Sequence, residues 1–219
     1  MTLIVAALTK KKGFLFGDQT RTISSKNGGQ VCLKMDNIKI ITDKPIFLQN
    51  GETKIHSICD SSAYIGIAGD EKKSQTFVQS LQSVRKNEDF NSFVNQYWLE
   101  HGEDSPDQFL LLSKTAEKIY AESYFKYNEQ RFDSYGHYVY TPKDDRIVFA
   151  QIGSGSQAFL GFIQATIDDL EKQYNKVIKE GSIMKWENEF VEKIKSIYTD
   201  IHHQINGVGD DVDVVKIEL

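Results

Sequence analysis

The sequence predicts an α+β fold, a four-layer α/β/β/α sandwich. Three observations lead there. Apolar segments of strand length come in groups, pairs of amphipathic helices are inserted twice between those groups, and the chain closes on one more strand. An amphipathic helix must bury its apolar stripe and a sheet offers two faces, so helix layers on both sides of packed sheets satisfy every element. A doubly wound parallel sheet would alternate single helices with strands, and a strand-only sandwich has no place for the helices.

The first segment, residues 3–8, reads Leu-Ile-Val-Ala-Ala-Leu, the continuous apolar run of a strand buried on both faces. Lys11-Lys12-Gly13 turns the chain, and residues 14–17 begin a second strand. Residues 31–33 and 38–42 read as short strands bounded by the turn signals Asn27-Gly28-Gly29 and Gln49-Asn50-Gly51. Residues 54–59 and 63–68 flank the polar stretch Asp60-Ser61-Ser62 as a further strand pair. Gly69-Asp70 opens a helix in which Phe77, Val78, Leu81 and Val84 recur at helical spacing. A second helix carries Phe90, Phe93, Val94 and Tyr97 behind an N-cap at Asp89.

Strands follow at 109–112 and 118–123. The polar stretch 124–145 contains Tyr124, Tyr127, Tyr135, Tyr138 and Tyr140, expected as an ordered excursion with half-buried aromatic rings. A strand at 147–152 passes through Gly153-Ser154-Gly155-Ser156 into a third helix, marked by Phe159, Phe162, Ile163, Ile167 and Leu170. The fourth helix carries Trp186, Phe190, Ile194, Ile197, Tyr198 and Ile201, and a strand over 212–219 closes the chain.

Composition narrows the function classes. A length of 219 residues fits one domain over 1–219, and 3 prolines with 15 glycines argue against a low-complexity tail. A net charge of -5 is the wrong sign for a sequence-independent nucleic-acid binder. Lys10-Lys11-Lys12 reads as a solvated hairpin tip. Cys32 and Cys59 lack metal-ligand spacing, and His202-His203 point about 100° apart on a helix, a poor chelate, so neither a metal nor a cofactor is expected. The apolar run at 3–8 is too short for a secretory signal, and no segment approaches the ~18–20 apolar residues of a membrane span. The cytoplasm is the expected compartment, with no membrane partner.

Chemistry centres on Thr2. Removal of Met1 would put a free amine on the residue that carries the hydroxyl. An α-amine has a pKa of about 7.7–8.0, so its neutral fraction can serve as general base for that hydroxyl, directly or through a water. An antiparallel hairpin turning at Gly13 returns Asp18 toward the chain start, where a carboxylate ending an apolar strand needs a cation.

Thr2-Leu3-Ile4-Val5-Ala6-Ala7, followed by Gly13-Phe14-Leu15-Phe16-Gly17-Asp18, resembles the start of a mature proteasome β-type subunit, a family of N-terminal-nucleophile hydrolases. Asp18 follows Thr2 by sixteen positions, as in that family, and its Gly-Asp ending is closer to the bacterial ATP-dependent two-component protease than to eukaryotic subunits. Further similarity lies in residues 54–60, in the strand 63–68 with Gly69-Asp70, in Ile152-Gly153-Ser154-Gly155 and in the closing strand. The shared order over nearly the full length carries the resemblance.

The resemblance implies Thr2 as nucleophile and base, Asp18 orienting a lysine, the Gly69 N–H facing the oxyanion, and Ser154 bonding near the amine. For the lysine, counting along the chain favours Lys34, whereas the local sequence and the distance to Gly69 favour Lys54, with a surface insertion at about 22–50 explaining the delay. The family's Asp and Ser-Gly before the last strand are replaced here by His203 and Asn206-Gly207. The implied activity is hydrolysis of peptide bonds in a peptide or protein substrate, within a homo-oligomeric ring whose active sites face an inner chamber fed, in this family, by an ATPase partner. Three rival readings stand beside it: an inactive assembly subunit, an amidase for a small molecule, and a non-catalytic binding protein using the tyrosine-rich stretch.

Overall fold

Alternation along the first strand sets the layers. Leu3, Val5 and Ala7 point to one side, into a cluster with Phe159, Ile163, Trp186, Phe190 and Tyr198. Ile4, Ala6 and Leu8 point to the other, into a cluster with Ile55, Leu110, Leu112 and Ala121. Side chains of a strand face opposite ways with period two, so a strand apolar at every position must be covered on both faces. The structure, a computed structural model, describes residues 2–24, 31–35, 38–42, 46–49, 53–58, 62–81, 90–126, 135–180, 183–205 and 208–219, with only the backbone for 21–24, 31–35, 38–42, 46–49 and 71.

The strands are β1 (Ile4–Leu8), β2 (Lys12–Asp18), β3 (Arg21–Ser24), β4 (Val31–Met35), β5 (Ile38–Thr42), β6 (Ile46–Gln49), β7 (Ile55–Ile58) and β8 (Ala63–Ala68). They continue with β9 (Gln108–Lys114), β10 (Ile119–Phe125), β11 (Gly136–Tyr140), β12 (Val148–Ile152) and β13 (Val212–Glu218). The helices are α1 (Glu71–Leu81), α2 (Phe90–His101), α3 (Ser156–Gln164), α4 (Ile167–Glu180) and α5 (Ile183–Gln204). One sheet has the order β12-β1-β2-β13 and the second β11-β10-β9-β8-β7, with antiparallel neighbours throughout.

A third cluster completes the stack. Ile65, Ile67, Phe109, Leu111 and Tyr124 on the second sheet pack against Phe77, Leu81, Val94 and Tyr97 of α1 and α2. The layers are therefore α3–α5, the first sheet, the second sheet and α1–α2, the α/β/β/α sandwich the sequence predicts. Gly66 of β8 lies against β1: a Cβ on it would lie 2.4 Å from Ile4 Cγ2, so only hydrogen fits.

The structure differs from the sequence expectation in four places. The third helix breaks into α3 and α4 around Thr166, whose hydroxyl donates to the carbonyls of Ile163 at 3.3 Å and Phe162 at 3.5 Å. Its N–H bonds Ile163, which closes a tighter turn before α4 restarts with Leu170 bonded to the Thr166 carbonyl. Between β2 and β7 the expected strands at 31–33 and 38–42 are present and pair as β4 with β5; the difference is a second pair, β3 with β6, that encloses them in sequence. The tyrosine-rich stretch contributes β11, with Tyr124 and Tyr135 buried and Tyr138 exposed; Tyr127 lies outside the described residues. Lys12 is not a solvated tip. Its ammonium pairs with Glu187 of α5 and, at 2.9 Å, with Glu218 of β13, and although burial works against the charge those carboxylates outweigh it and raise its pKa. Val84, Asp89 and Cys59 lie outside the described residues, as does the Cys32 side chain.

Gly66→Ala is expected to destabilise the protein by about 1–3 kcal/mol in urea unfolding, because Ile4 must shift within a packed interface. Gly161→Ala in α3, where an added Cβ meets nothing within 4 Å, is expected to be neutral or stabilising.

Candidate active site

Antiparallel pairing fixes where the candidate residues meet. Ile4 is opposite Gly17 in β1–β2 and opposite Ile152 in β1–β12, so Asp18 and the turn after Ile152 arrive on either side of Leu3 and Thr2. The Asp18 N–H donates to the Leu3 carbonyl at 3.2 Å, and the Leu3 N–H donates back to Asp18 Oδ1 at 2.7 Å.

Asp18 is fully buried. Its second oxygen, Oδ2, accepts from Lys54 Nζ at 2.9 Å and from the Gly209 N–H at 3.2 Å. Lys54 enters just before β7, where its own carbonyl takes the Ile67 N–H at 3.1 Å. Its ammonium makes two further donations, to Thr2 Oγ1 at 3.1 Å and to the Thr20 carbonyl, so all three of its protons have acceptors. Burial lowers the Lys54 pKa below the ordinary lysine value, while the charge of Asp18 and its hydrogen bond pull the other way.

The Thr2 nitrogen, a peptide N–H while Met1 is attached, donates to Ser154 Oγ at 3.2 Å. The Thr2 carbonyl accepts the Gly155 N–H at 3.3 Å. Gly153 has φ 93°, and a Cβ on it would sit 2.2 Å from the Thr2 carbonyl oxygen, so the turn can take this shape only with glycine. Thr2, Asp18, Lys54 and Ser154 thus form one hydrogen-bonded group. An ammonium beside the threonine hydroxyl favours its deprotonated form.

Gly69 follows β8, two residues beyond the Ile67–Lys54 hydrogen bond, and is exposed with φ 137°. No hydrogen bond among the described residues joins it to Thr2. Lys34 lies on β4 opposite Lys39, and its side chain is outside the described residues. His202 turns its Nδ1 to the Val208 carbonyl at 2.7 Å, and the described residues contain no group of three or more metal-ligating side chains. Asn206-Gly207 lies outside them.

Three contributors were not legible in the sequence. The Gly209 N–H and the Thr20 carbonyl act through the backbone, which carries no side-chain signature. Tyr198, fully buried on α5, donates toward the carbonyls of Leu3 at 3.3 Å and Phe16 at 3.2 Å. Burial, with Asp18 nearby, raises its pKa well above the usual tyrosine value, so it stays a neutral donor. It read only as one more apolar-face residue of its helix.

No family model and no curated protein matches the chain. Among solved structures, 42 chains match. One is eukaryotic HslV from Trypanosoma brucei, with 18% identity, 99% of each chain covered and a TM-score of 0.51. That similarity shows a shared fold.

Removing one partner of the buried pair leaves an uncompensated charge. Lys54→Met is expected to cost about 3–5 kcal/mol at pH 7 by urea unfolding, and pairing it with Asp18→Asn to recover part of the loss. Because the folded pKa of Lys54 is lowered, the unfolded chain binds more protons just below pH 10.5, and wild-type stability gains a component that rises with pH there. Lys54→Met is expected to lack that component in unfolding curves recorded across the window.

Proposed function

We propose that this protein is a proteasome-like threonine hydrolase of peptide bonds, acting through Thr2 once the preceding peptide bond is cleaved and the residue bears a free amine. The observation that carries the reading is the Thr2 hydroxyl 3.1 Å from a Lys54 ammonium that a fully buried Asp18 holds at 2.9 Å. The fold shared with HslV supports it.

In this mechanism the neutral Thr2 amine takes the hydroxyl proton, directly or through a water, as Oγ1 bonds to the substrate carbonyl carbon. The Lys54 charge disfavours a protonated amine and stabilises the developing alkoxide. The Gly69 N–H meets the oxyanion of the tetrahedral intermediate. That intermediate collapses by breaking the C–N bond, and the leaving amine takes the proton held on Thr2. Water then attacks the ester, giving its proton to the amine, and the carboxylic acid and free threonine hydroxyl are released. Ser154 holds the amine in place throughout.

The same resemblance supports assembly into a homo-oligomeric ring around an inner chamber, an ATPase partner and a cytoplasmic location. Among the described residues no helix is long and apolar enough to cross a membrane.

The intact mass of the purified protein is expected to be lower by one methionine. On a fluorogenic peptide amide, Thr2→Ala is expected to abolish turnover with the melting transition retained; undiminished turnover would sink the mechanism. Lys54→Ala is expected to lower kcat by about 10²-fold or more, and Lys34→Ala to leave it within about twofold. The rate is expected to rise with pH as the amine deprotonates, with a midpoint under the ordinary ~7.7–8.0 because of the nearby ammonium.

A further inference from the structure

The first residue of β9 belongs to one sheet by its backbone and reaches the other by its side chain. Gln108 stands between Ala68 of β8 and Phe125 of β10 in the second sheet. Its Oε1 accepts the Gly153 N–H at 2.8 Å, in the turn that follows β12 of the first sheet. That turn bears on Thr2 in three ways. Gly153 packs against the Thr2 carbonyl so closely that a Cβ would be 2.2 Å from its oxygen, Ser154 Oγ accepts the Thr2 N–H at 3.2 Å, and the Gly155 N–H binds the Thr2 carbonyl at 3.3 Å.

On the helix side the turn is pinned by Ser156, whose N–H and hydroxyl donate to the Gly153 carbonyl at 3.2 Å and 2.7 Å. From the opposite sheet Gln108 holds it. Gly153 sits at φ 93°, away from the regular strand conformation that would hand its N–H to a ladder partner, so a side-chain acceptor takes that role.

We infer that Gln108 is a positioning residue for the Thr2 nucleophile: by holding the Gly153 N–H it fixes the turn that places Ser154 Oγ on the Thr2 nitrogen. This rests on the proposed hydrolase reading. Without the Gln108 oxygen, the Gly153 N–H loses its partner and the turn relaxes toward another acceptor, carrying Ser154 with it. A shift of order 1 Å at a reacting group changes rates by up to about 10²-fold.

The test uses the Met1-processed protein and a peptide β-lactone, whose carbonyl carbon is attacked by an activated hydroxyl. The ring opens and its ester oxygen takes the proton, leaving an acyl adduct read by intact mass. Wild type is expected to take one adduct, at Thr2. Gln108→Leu is expected to acylate about 10–100-fold more slowly, with its pH midpoint moved downward. The downward sign follows because the Ser154 oxygen binds a charged amine more strongly than a neutral one, so losing it lowers the amine pKa. Gln108→Glu keeps an acceptor oxygen and is expected to stay within a few-fold of wild type. If Gln108→Leu shows no cooperative melting, Gln108→Asn, one methylene too short to reach Gly153, replaces it with the same expected loss and shift. A variant at the wild-type rate, a slow variant with an unmoved midpoint, or Gln108→Glu as slow as Gln108→Leu would each overturn the inference while the hydrolase reading stands. A wild type that takes no adduct overturns the Thr2 reading, and this inference with it.

Discussion

A carboxylate buried without partners would cost several kcal/mol, and the Asp18 side chain has no exposed surface at all. It is tolerated because three parts of the chain converge on it, the Leu3 N–H, the Gly209 N–H and the Lys54 ammonium, while its own backbone N–H pairs back to the Leu3 carbonyl. These three precede β1, β13 and β7 respectively, so the group forms only when both sheets and the segment before β13 are in register. The same group holds the ammonium against the Thr2 hydroxyl, and the charge balance that stabilises this corner therefore also organises the candidate chemistry.

The layers make that convergence possible. β1 is buried on both faces, by α3–α5 on one side and by the second sheet on the other, which leaves Thr2 at its entry as the half-buried end of an otherwise enclosed strand. Lys54 belongs to the second sheet's edge and Asp18 to the first sheet, so their ion pair ties the two sheets together beside the site. Gly66 allows the sheets to close onto Ile4, and Gly153 allows the turn after β12 to lie against the Thr2 carbonyl. At the opposite end of β1 and β2, Lys12, Glu187 and Glu218 form a second ionic tie among the hairpin, α5 and the last strand.

Much of the fold was legible because its signals are local. Period-two burial in β9, where Phe109 and Leu111 face α1–α2 while Leu110 and Leu112 face the first sheet, follows from a run of apolar residues bounded by polar ones. The break between α3 and α4 was not legible, because Phe159, Ile163, Ile167 and Leu170 keep helical spacing through it and the interruption is marked by the hydroxyl and N–H bonds of Thr166. Lys12 was misread for a similar reason. Its neighbours in sequence are exposed lysines, whereas the carboxylates that bury it lie far along the chain.

By itself the sequence determined the four-layer architecture, the presence of Thr2 at the head of a buried strand, and Asp18 at the return of the hairpin, because periodicity and turn chemistry are carried by near neighbours. It left two lysines for one position. Lys34 sits where counting along the chain places it, and Lys54 follows the nested strands β3–β6, so spacing and local pattern disagree. Only the tertiary structure brings the Lys54 ammonium against Asp18 and Thr2, beside the Ile67 N–H bond to its carbonyl; the Lys34 side chain lies outside the described residues. The Gly209 N–H, the Thr20 carbonyl, the Tyr198 hydroxyl and the Gln108 acceptor likewise became visible only in three dimensions. Hydrogen bonding between groups far apart in the chain depends on where folding brings their atoms, and backbone donors leave no trace in residue type.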